Sequence, residues 1–313
     1  MIVKPENMTF ENKRFSMIIY GSPGIGKTTL ALSAPLPVLI DFEHGISRVK
    51  AYHRKDTIVC NSYEDVQKDI RSTAMHDYET IIIDTGGSFV SYLKDWAMNT
   101  KGAKTKSGEF NALKGFGFVK SEFTDFTEYV KTVLNKNVIY IFHCTEQADK
   151  DGNPTQRLMC EGSVRNTVWN PCDFGGYVQM IGNQRVICFT PEQEFFAKGC
   201  HGIEGQMAIP TLKPTDTNDF ITKLFEKAKA NIAAENDMFA PIKLQYDEVM
   251  EQVHAALDGM TTLEEVNEAL ADFQSLDHAL TSKKESAALL NRKAHELGFA
   301  YDKTAGVYAV KEG

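Results

Sequence analysis

The stretch Gly21-Ser22-Pro23-Gly24-Ile25-Gly26-Lys27-Thr28 decides the fold. It meets every fixed position of the phosphate-binding loop pattern, with glycines at the turns and Lys-Thr at the close. Before it, Phe15-Ser16-Met17-Ile18-Ile19-Tyr20 reads as a short buried strand; after it, Thr29-Leu30-Ala31-Leu32-Ser33-Ala34 reads as the start of a helix. Glycines let successive N–H groups turn inward on an anion, and the helix start adds its dipole. Lys27 is placed to reach the β and γ phosphates of a nucleotide, and Thr28 to hold Mg²⁺. Gly21, Ser22, Pro23, Gly24, Ile25, Gly26, Lys27, Thr28 and Thr29 are therefore the expected nucleotide-binding residues.

Working outward, the first 215 residues alternate apolar runs with polar, helix-like stretches. The runs are Ser16–Tyr20, Val38–Asp41, Thr57–Cys60, Thr80–Asp84, Val138–His143, Tyr177–Ile181, Arg185–Thr190 and Phe195–Lys198. Several are continuous in Ile and Val, the signature of strands buried on both faces of a parallel sheet flanked by helices. The later runs are closely spaced, with Gly182-Asn183 as a turn, and read as antiparallel hairpins. Two stretches, Asn99–Gly117 and Thr145–Pro171, read as long loops of the kind that carry function. Beyond Phe220 the character changes. Asp219–Ala234 and Pro241–Asp258 have helical periodicity, Thr262-Leu263-Glu264-Glu265 is a capping box, Ser282-Lys283-Lys284-Glu285 opens a further helix that stops at Gly298, and Phe299–Val310 alternates like a hairpin. The expected division is an α/β domain over 1–228 and a helical module over 229–313.

With 313 residues and 42% hydrophobic content there is material for one sizeable core and an appendage. No apolar run reaches membrane-span length, and Met1–Asn7 holds no stretch of signal-peptide type, so a cytosolic protein without membrane contact is expected. Six cysteines stand scattered with no CxxC pair, which favours free thiols. Cys188, Cys200 and His201 match no zinc spacing. The net charge of −8 excludes a surface basic all over, but the acidic excess falls after about residue 230, which leaves room for a local basic channel earlier.

Nucleotide hydrolysis needs a second Mg²⁺ contact and a base for water. Thr80-Ile81-Ile82-Ile83-Asp84 is a strand ending in an acid where the second metal contact belongs, so Thr28 and Asp84 form the expected metal pair. Thr85, not Glu, follows Asp84, so the base must come from elsewhere. Val38-Leu39-Ile40-Asp41-Phe42-Glu43-His44-Gly45, the next strand after the loop helix, ends in acids.

Here the chain resembles the RecA recombinases. Ile40-Asp41-Phe42-Glu43-His44-Gly45 is similar to their Asp-Ala-Glu-His run, whose Glu activates water, and the resemblance puts that role on Glu43. Ile82-Ile83-Asp84-Thr85-Gly86-Gly87-Ser88 is similar to their Walker B strand. Val138–His143 falls where they carry a Gln that senses the γ phosphate; His143 stands there instead, a different donor for the same bond. More narrowly, residues 13–215 resemble the phage nucleotide-binding family of AAA-type ATPases, which includes the RecA-core single-strand annealing proteins of phage. Lys293-Ala294-His295-Glu296-Leu297-Gly298 in the tail is similar to the ending of phage recombination proteins.

The resemblance implies a RecA-like P-loop fold, ATP with Mg²⁺, and oligomers, ring or filament, that bind single-stranded DNA, alongside a single-stranded-DNA-binding protein. ATP over GTP also follows from the lack of an Asn-Lys-x-Asp motif. DNA would touch the two long loops: Lys101, Lys104 and Lys106 on the first, near Phe110, Phe116 and Phe118, and Lys150, Arg157 and Arg165 on the second, before Trp169. Lys and Arg neutralise phosphate and aromatic faces stack on bases; solvated loops with incidental lysines are the competing reading. Lys198 falls where related ATPases carry a finger that acts across the subunit boundary, although Cys200 departs from the rest of that pattern; Arg165 and Arg157 are the alternatives for that role. The implied activity is a DNA-stimulated ATPase of phage recombination that anneals or pairs strands. The alternatives are a replication helicase or loader, and a nucleotide switch whose acidic tail docks a protein.

Overall fold

Ser16–Gly21, Pro37–Asp41 and Thr80–Asp84 are buried along their whole length. A strand with no exposed face needs helices above and below it, and parallel neighbours joined by crossovers supply them. The computed structural model, which describes Phe10 and residues 12–311, has this arrangement. In chain order the elements are β1 (Ser16–Gly21), α1 (Lys27–Ala31), β2 (Pro37–Asp41), β3 (Thr57–Val59), α2 (Tyr63–Ile70), β4 (Thr80–Asp84), α3 (Gly86–Thr100), α4 (Ala112–Glu128), β5 (Asn137–Ala148), β6 (Pro154–Leu158), α5 (Val164–Thr167), β7 (Phe174–Ile181), β8 (Gln184–Cys188) and β9 (Gln206–Ala208).

Among the described residues the strands run β3-β2-β4-β5-β1-β7-β8-β9, with β6 paired to β5 off this path. From β3 to β7 the pairing is parallel; β8, β9 and β6 are antiparallel additions. β5 is thus inserted between the strand that feeds the phosphate-binding loop and the strand that ends in Asp84. This is the expected α/β core, a mainly parallel sheet flanked by helices. Alternate residues sort to the two faces. Ile18, Tyr20, Val38, Ile40, Ile81, Ile83, Tyr140 and Phe142 pack under Val66, Phe89, Leu93, Val119 and Phe123 of α2, α3 and α4. On the other face Phe15 and Phe174 stack with Phe225 (centroids 5.1 and 6.0 Å).

The chain divides into two compact units, one spanning Glu11–Asn231 and one built from Ile232 onward. The second contains most of α6 (Phe220–Leu257), with α7 (Leu263–Ser275), α8 (Ser282–Glu296) and the β10 (Phe299–Asp302) and β11 (Val307–Val310) hairpin. Val253, Val266, Phe273, Leu290 and Tyr308 form its core. The capping box is made: Thr262 Oγ1 accepts from Glu265 N, and the Glu265 carboxylate accepts from Thr262 N at 2.9 Å. Gly298, at φ +86°, follows the end of α8.

Four sequence expectations are corrected. Asp219–Ala234 and Pro241–Asp258 are one helix, α6, with Pro241 inside it; the residues around Pro241 are exposed, so the carbonyl that loses its donor there faces water. The Asn99–Gly117 loop shrinks to 101–111, because Gly115 lies within α4, where the Phe110 ring packs against it and a Cβ would collide. Thr145–Pro171 is mostly ordered: β5 continues to Ala148 and returns as β6, the turn closed by Asp149 Oδ1 accepting from Asp151 N and Asn153 N (both 2.8 Å). Phe195–Lys198 makes only isolated bridges and is not a strand. The short strand Gln206–Ala208 was not expected.

Replacing Thr262 by Ala is expected to cost about 1 kcal/mol of local stability, read as roughly fivefold faster amide exchange in the first turn of α7 with the rest of the chain unchanged.

Candidate functional site

Three of the parallel strands, β1, β2 and β4, end at nearly the same level of the sheet, and β5 passes between β1 and β4. Register sets Gly21 beside His143, Asp41 beside Asp84, and Asp84 beside Ile141, so the loop, both acids and the histidine meet at the carboxyl edge of the sheet, where open α/β sheets bind ligands. The cleft there, about 140 Å³, is lined by Gly24, Gly26, Lys27, Thr28, Thr29, Glu43, Gly45, Arg48, Val49, Asp84 and His143. Two glycines are required by the loop itself. Gly26 sits at φ +91°, a left-handed conformation immediately before α1, and at Gly21 a Cβ would strike the Val178 carbonyl of β7.

Lys27 is buried, and its Nζ donates to the carbonyls of Gly21 (2.9 Å) and Ser22 (2.8 Å). Burial lowers its pKa, opposed by Asp84 and Glu43. A third contact, 3.4 Å, reaches His143 Nδ1. An ammonium has only donors, so Nδ1 accepts, the imidazole proton sits on Nε2, and Nε2 donates to the Glu43 carboxylate at 3.3 Å. Glu43 Oε1 also accepts from Thr85 Oγ1 (2.8 Å) and Ser88 Oγ (3.2 Å). These bonds, chiefly the one from His143, hold the Glu43 carboxyl down to about 2, against the opposing effect of burial. Asp41 shapes the turn that presents Glu43: its two oxygens accept from Gly45 N and Ile46 N, each at 2.9 Å.

Thr28 Oγ1 donates to Asp84 Oδ2 at 2.7 Å. Burial raises the Asp84 pKa, and the bond from Thr28 works against it. Two converging hard oxygens of this kind suit Mg²⁺, and Gly24, at φ +78° with nothing near its missing Cβ, leaves the cradle open for phosphate. The residues present therefore fit a Mg²⁺-nucleotide. When bound, Mg²⁺ would neutralise charge on the phosphates.

Three neighbours of the site had no signal of their own in the sequence. Arg48 Nη1 lies 3.7 Å from Glu43 Oε2 and its side chain is mostly exposed, a weak pair. Arg185 of β8 donates from Nη1 to the Ile25 carbonyl at 3.4 Å and covers Gly26. The Cys144 thiol lies 3.8 Å from Ser22 Oγ. Thr85 and Ser88 were legible only as small polar residues after Asp84. The Thr29 carbonyl accepts from Asn218 Nδ2 at 2.8 Å.

The other expected residues lie elsewhere. Lys101, Lys104 and Lys106 are exposed on the short loop between α3 and α4; Lys101 Nζ sits over Trp96 at 5.3 Å. Phe110 and Phe116 pack on each other at 5.2 Å, and Phe116 touches Gly162, so the two loop regions adjoin. Phe118 is exposed. Arg157 is on β6 and Arg165 on α5, both in ordered structure and not on a loop. Lys198 donates to the Cys172 carbonyl at 2.5 Å and does not line the nucleotide cleft of its own chain. Arg157, Arg165 and Lys198 line a second cavity together. Cys200 and His201 group with Asp173, not with Cys188, but Asp173 already accepts from Lys13 and from Ser16 N (3.2 and 2.8 Å).

Strand order and site together define a P-loop nucleotide hydrolase. A family model described as an AAA domain matches residues 13–201, over half of the chain, and the protein belongs to this family of P-loop ATPases. Among solved structures it is similar to a KaiC-like protein of the archaeon Pyrococcus horikoshii, at 12% identity, 63% coverage of this chain, 89% of that one and a TM-score of 0.35. No curated protein matches. Among the described residues no helix is long and apolar enough to cross a membrane.

Because the folded pKa of Glu43, about 2, lies below its ordinary 4.5, the unfolded chain binds the proton more readily. The stability contributed by ionised Glu43 is complete above about 4.5 and is lost as pH falls from there towards 2. Urea unfolding of the wild type is expected to lose more stability between about pH 5 and about pH 3 than that of Glu43→Gln, with His143→Ala in between.

Proposed function

We propose that the protein is an ATPase that binds single-stranded DNA as an oligomer and promotes annealing or strand pairing in phage DNA recombination. The observation that carries the ATPase mechanism is the chain of contacts Lys27–His143–Glu43 beside the Thr28–Asp84 pair. Ionised Glu43 serves as the base that takes a proton from water, Lys27 holds the terminal phosphates, and His143 reports between them. Gly21 to Thr29 bind the nucleotide, and Thr28 and Asp84 hold Mg²⁺. Replacing Glu43 by Gln keeps the side chain's shape and one acceptor oxygen and removes the base. It is expected to lower turnover about 10²–10⁴-fold while ATP still binds, whereas Lys27→Ala loses both; steady-state hydrolysis and nucleotide titration separate the two.

The DNA reading rests on exposed Lys101, Lys104 and Lys106 and on Arg157 and Arg165 in the adjoining segment. DNA held there lies near the far end of β5, the strand that carries His143. Lys198 acts, in this reading, on the nucleotide of a neighbouring copy, and a single-stranded-DNA-binding protein supplies the substrate strand.

Reversing Lys101, Lys104 and Lys106 to Glu is expected to weaken oligonucleotide binding and to lower the slope of log K on log salt by about 2 if each lysine meets one phosphate. Unchanged affinity and slope, with turnover indifferent to DNA, would sink the reading in favour of a nucleotide switch; ATP-driven duplex unwinding would favour a helicase.

A further inference from the structure

The larger cavity of the first unit is not the nucleotide cleft. It measures about 740 Å³ and lies between the β5–β6 hairpin, α5 and the segment around Phe196, within the range of sites that enclose a small ligand. Its chemistry is one-sided. Arg157, Arg165 and Lys198 line it, and no lining residue is acidic. Among the described residues no carboxylate forms an ion pair with any of the three. Arg165 is fixed, with Nε and Nη2 on the Cys160 carbonyl (3.0 and 2.9 Å) and Nη1 on Gln147 Oε1 (3.2 Å), but these neutral partners leave its charge uncompensated. The Arg157 guanidinium carbon lies over the Phe196 ring, 3.8 Å from its centroid.

The remaining wall is aromatic and amide. Trp169 stands edge-on to Tyr20 (centroids 6.1 Å) and 6.4 Å from Phe196. It can lie there because Gly175 of β7 has no side chain; a Cβ at that position would meet the indole. Gln147, Gln156 and Asn166 add both donors and acceptors. A site with unpaired cations, two flat faces and amides matches a group that is at once anionic, flat and rich in hydrogen-bonding edges.

We propose that this cavity takes one nucleotide unit, its base against Trp169 and its phosphate against Arg157 and Arg165. The proposal rests on the single-stranded DNA reading above, with a strand as the source; a free nucleotide has the same chemistry. Two strands connect the cavity to the nucleotide cleft. Tyr20, whose hydroxyl donates to the Phe196 carbonyl at 2.5 Å, directly precedes Gly21 of the phosphate-binding loop. Gln147 lies four residues beyond His143 on β5.

Trp169 and Trp96 are the two tryptophans of the chain, so the full-length Trp96→Phe protein reports on the cavity through Trp169 alone. It is titrated at low salt with an oligodeoxythymidylate and, separately, with thymidine monophosphate, while anisotropy of a labelled oligonucleotide measures total DNA binding. Saturable quenching by the oligonucleotide is expected, with Arg157→Ala raising its Kd about tenfold. Asn166→Asp, an exposed change that adds an acid to the rim, is expected to weaken it as well; circular dichroism checks both variants for folding. Quenching by the monophosphate alone supports the cavity with a free nucleotide as its source. Anisotropy without quenching overturns the cavity and leaves the DNA reading standing; neither signal overturns both. Quenching that follows protein concentration and not added nucleotide assigns the cavity to a neighbouring copy and overturns the proposal.

Discussion

A buried ammonium organises this molecule. Lys27 is almost fully removed from water, and an isolated charge in that position would be strongly unfavourable. It is tolerated because the loop turns the Gly21 and Ser22 carbonyls onto it, and because Asp84 and Glu43 supply opposite charge from two further strands. Each of those partners makes its own demand. Carbonyls can point inward only where the backbone bends as it does at Gly26, and the acids arrive only if β2 and β4 end close to the level at which β1 does, which is that of His143 in β5. The parallel register of the sheet is thus what makes a buried Lys27 possible.

The same register explains which residues were legible in the sequence. The phosphate-binding loop, the Asp84 strand and the Glu43 run are local patterns: spacing along the chain fixes their chemistry, and the structure sets them side by side. His143 was legible by its place at the end of an apolar strand, although β5 extends beyond it. Arg48, Arg185 and Cys144 were not: Arg48 and Cys144 stand close after marked residues but belong to no pattern of their own, and nothing near Arg185 in the sequence marks it. β8 brings Arg185 to Gly26 across 159 residues of chain, and that is a property of strand order.

The misread segments share a physical cause. Gly115 and Gly117 suggested a loop, yet at Gly115 the missing side chain is the space into which Phe110 packs. The polar stretch after Thr145 suggested another, but its composition is that of a hairpin exposed at its tip, closed by the Asp149 side chain. In both places local composition reported exposure or small size correctly, and tertiary contact decided the backbone. The second cavity shows the limit most clearly. Tyr20, Arg157, Trp169 and Lys198 come from four separate segments, and only the fold brings them to one wall.

The way the cavity adjoins the ATP cleft constrains how the two can communicate. Up to Ile141, β5 is paired on both sides within a buried sheet, and β1 holds it as far as His143, so a large shift of its backbone would break many hydrogen bonds at once. The groups able to respond cheaply are side chains at its end. Glu43 is held by hydroxyls of Thr85 and Ser88 and by His143, all through bonds that a change of rotamer can remake. If the proposed cavity ligand sits beside Gln147, it has one economical route to Glu43: it alters the setting of His143, whose hydrogen bond is the largest single influence on the Glu43 carboxylate. In the proposed mechanism, coupling of this kind needs no domain movement, and it would place the control of water activation in three side chains and the strand that carries one of them.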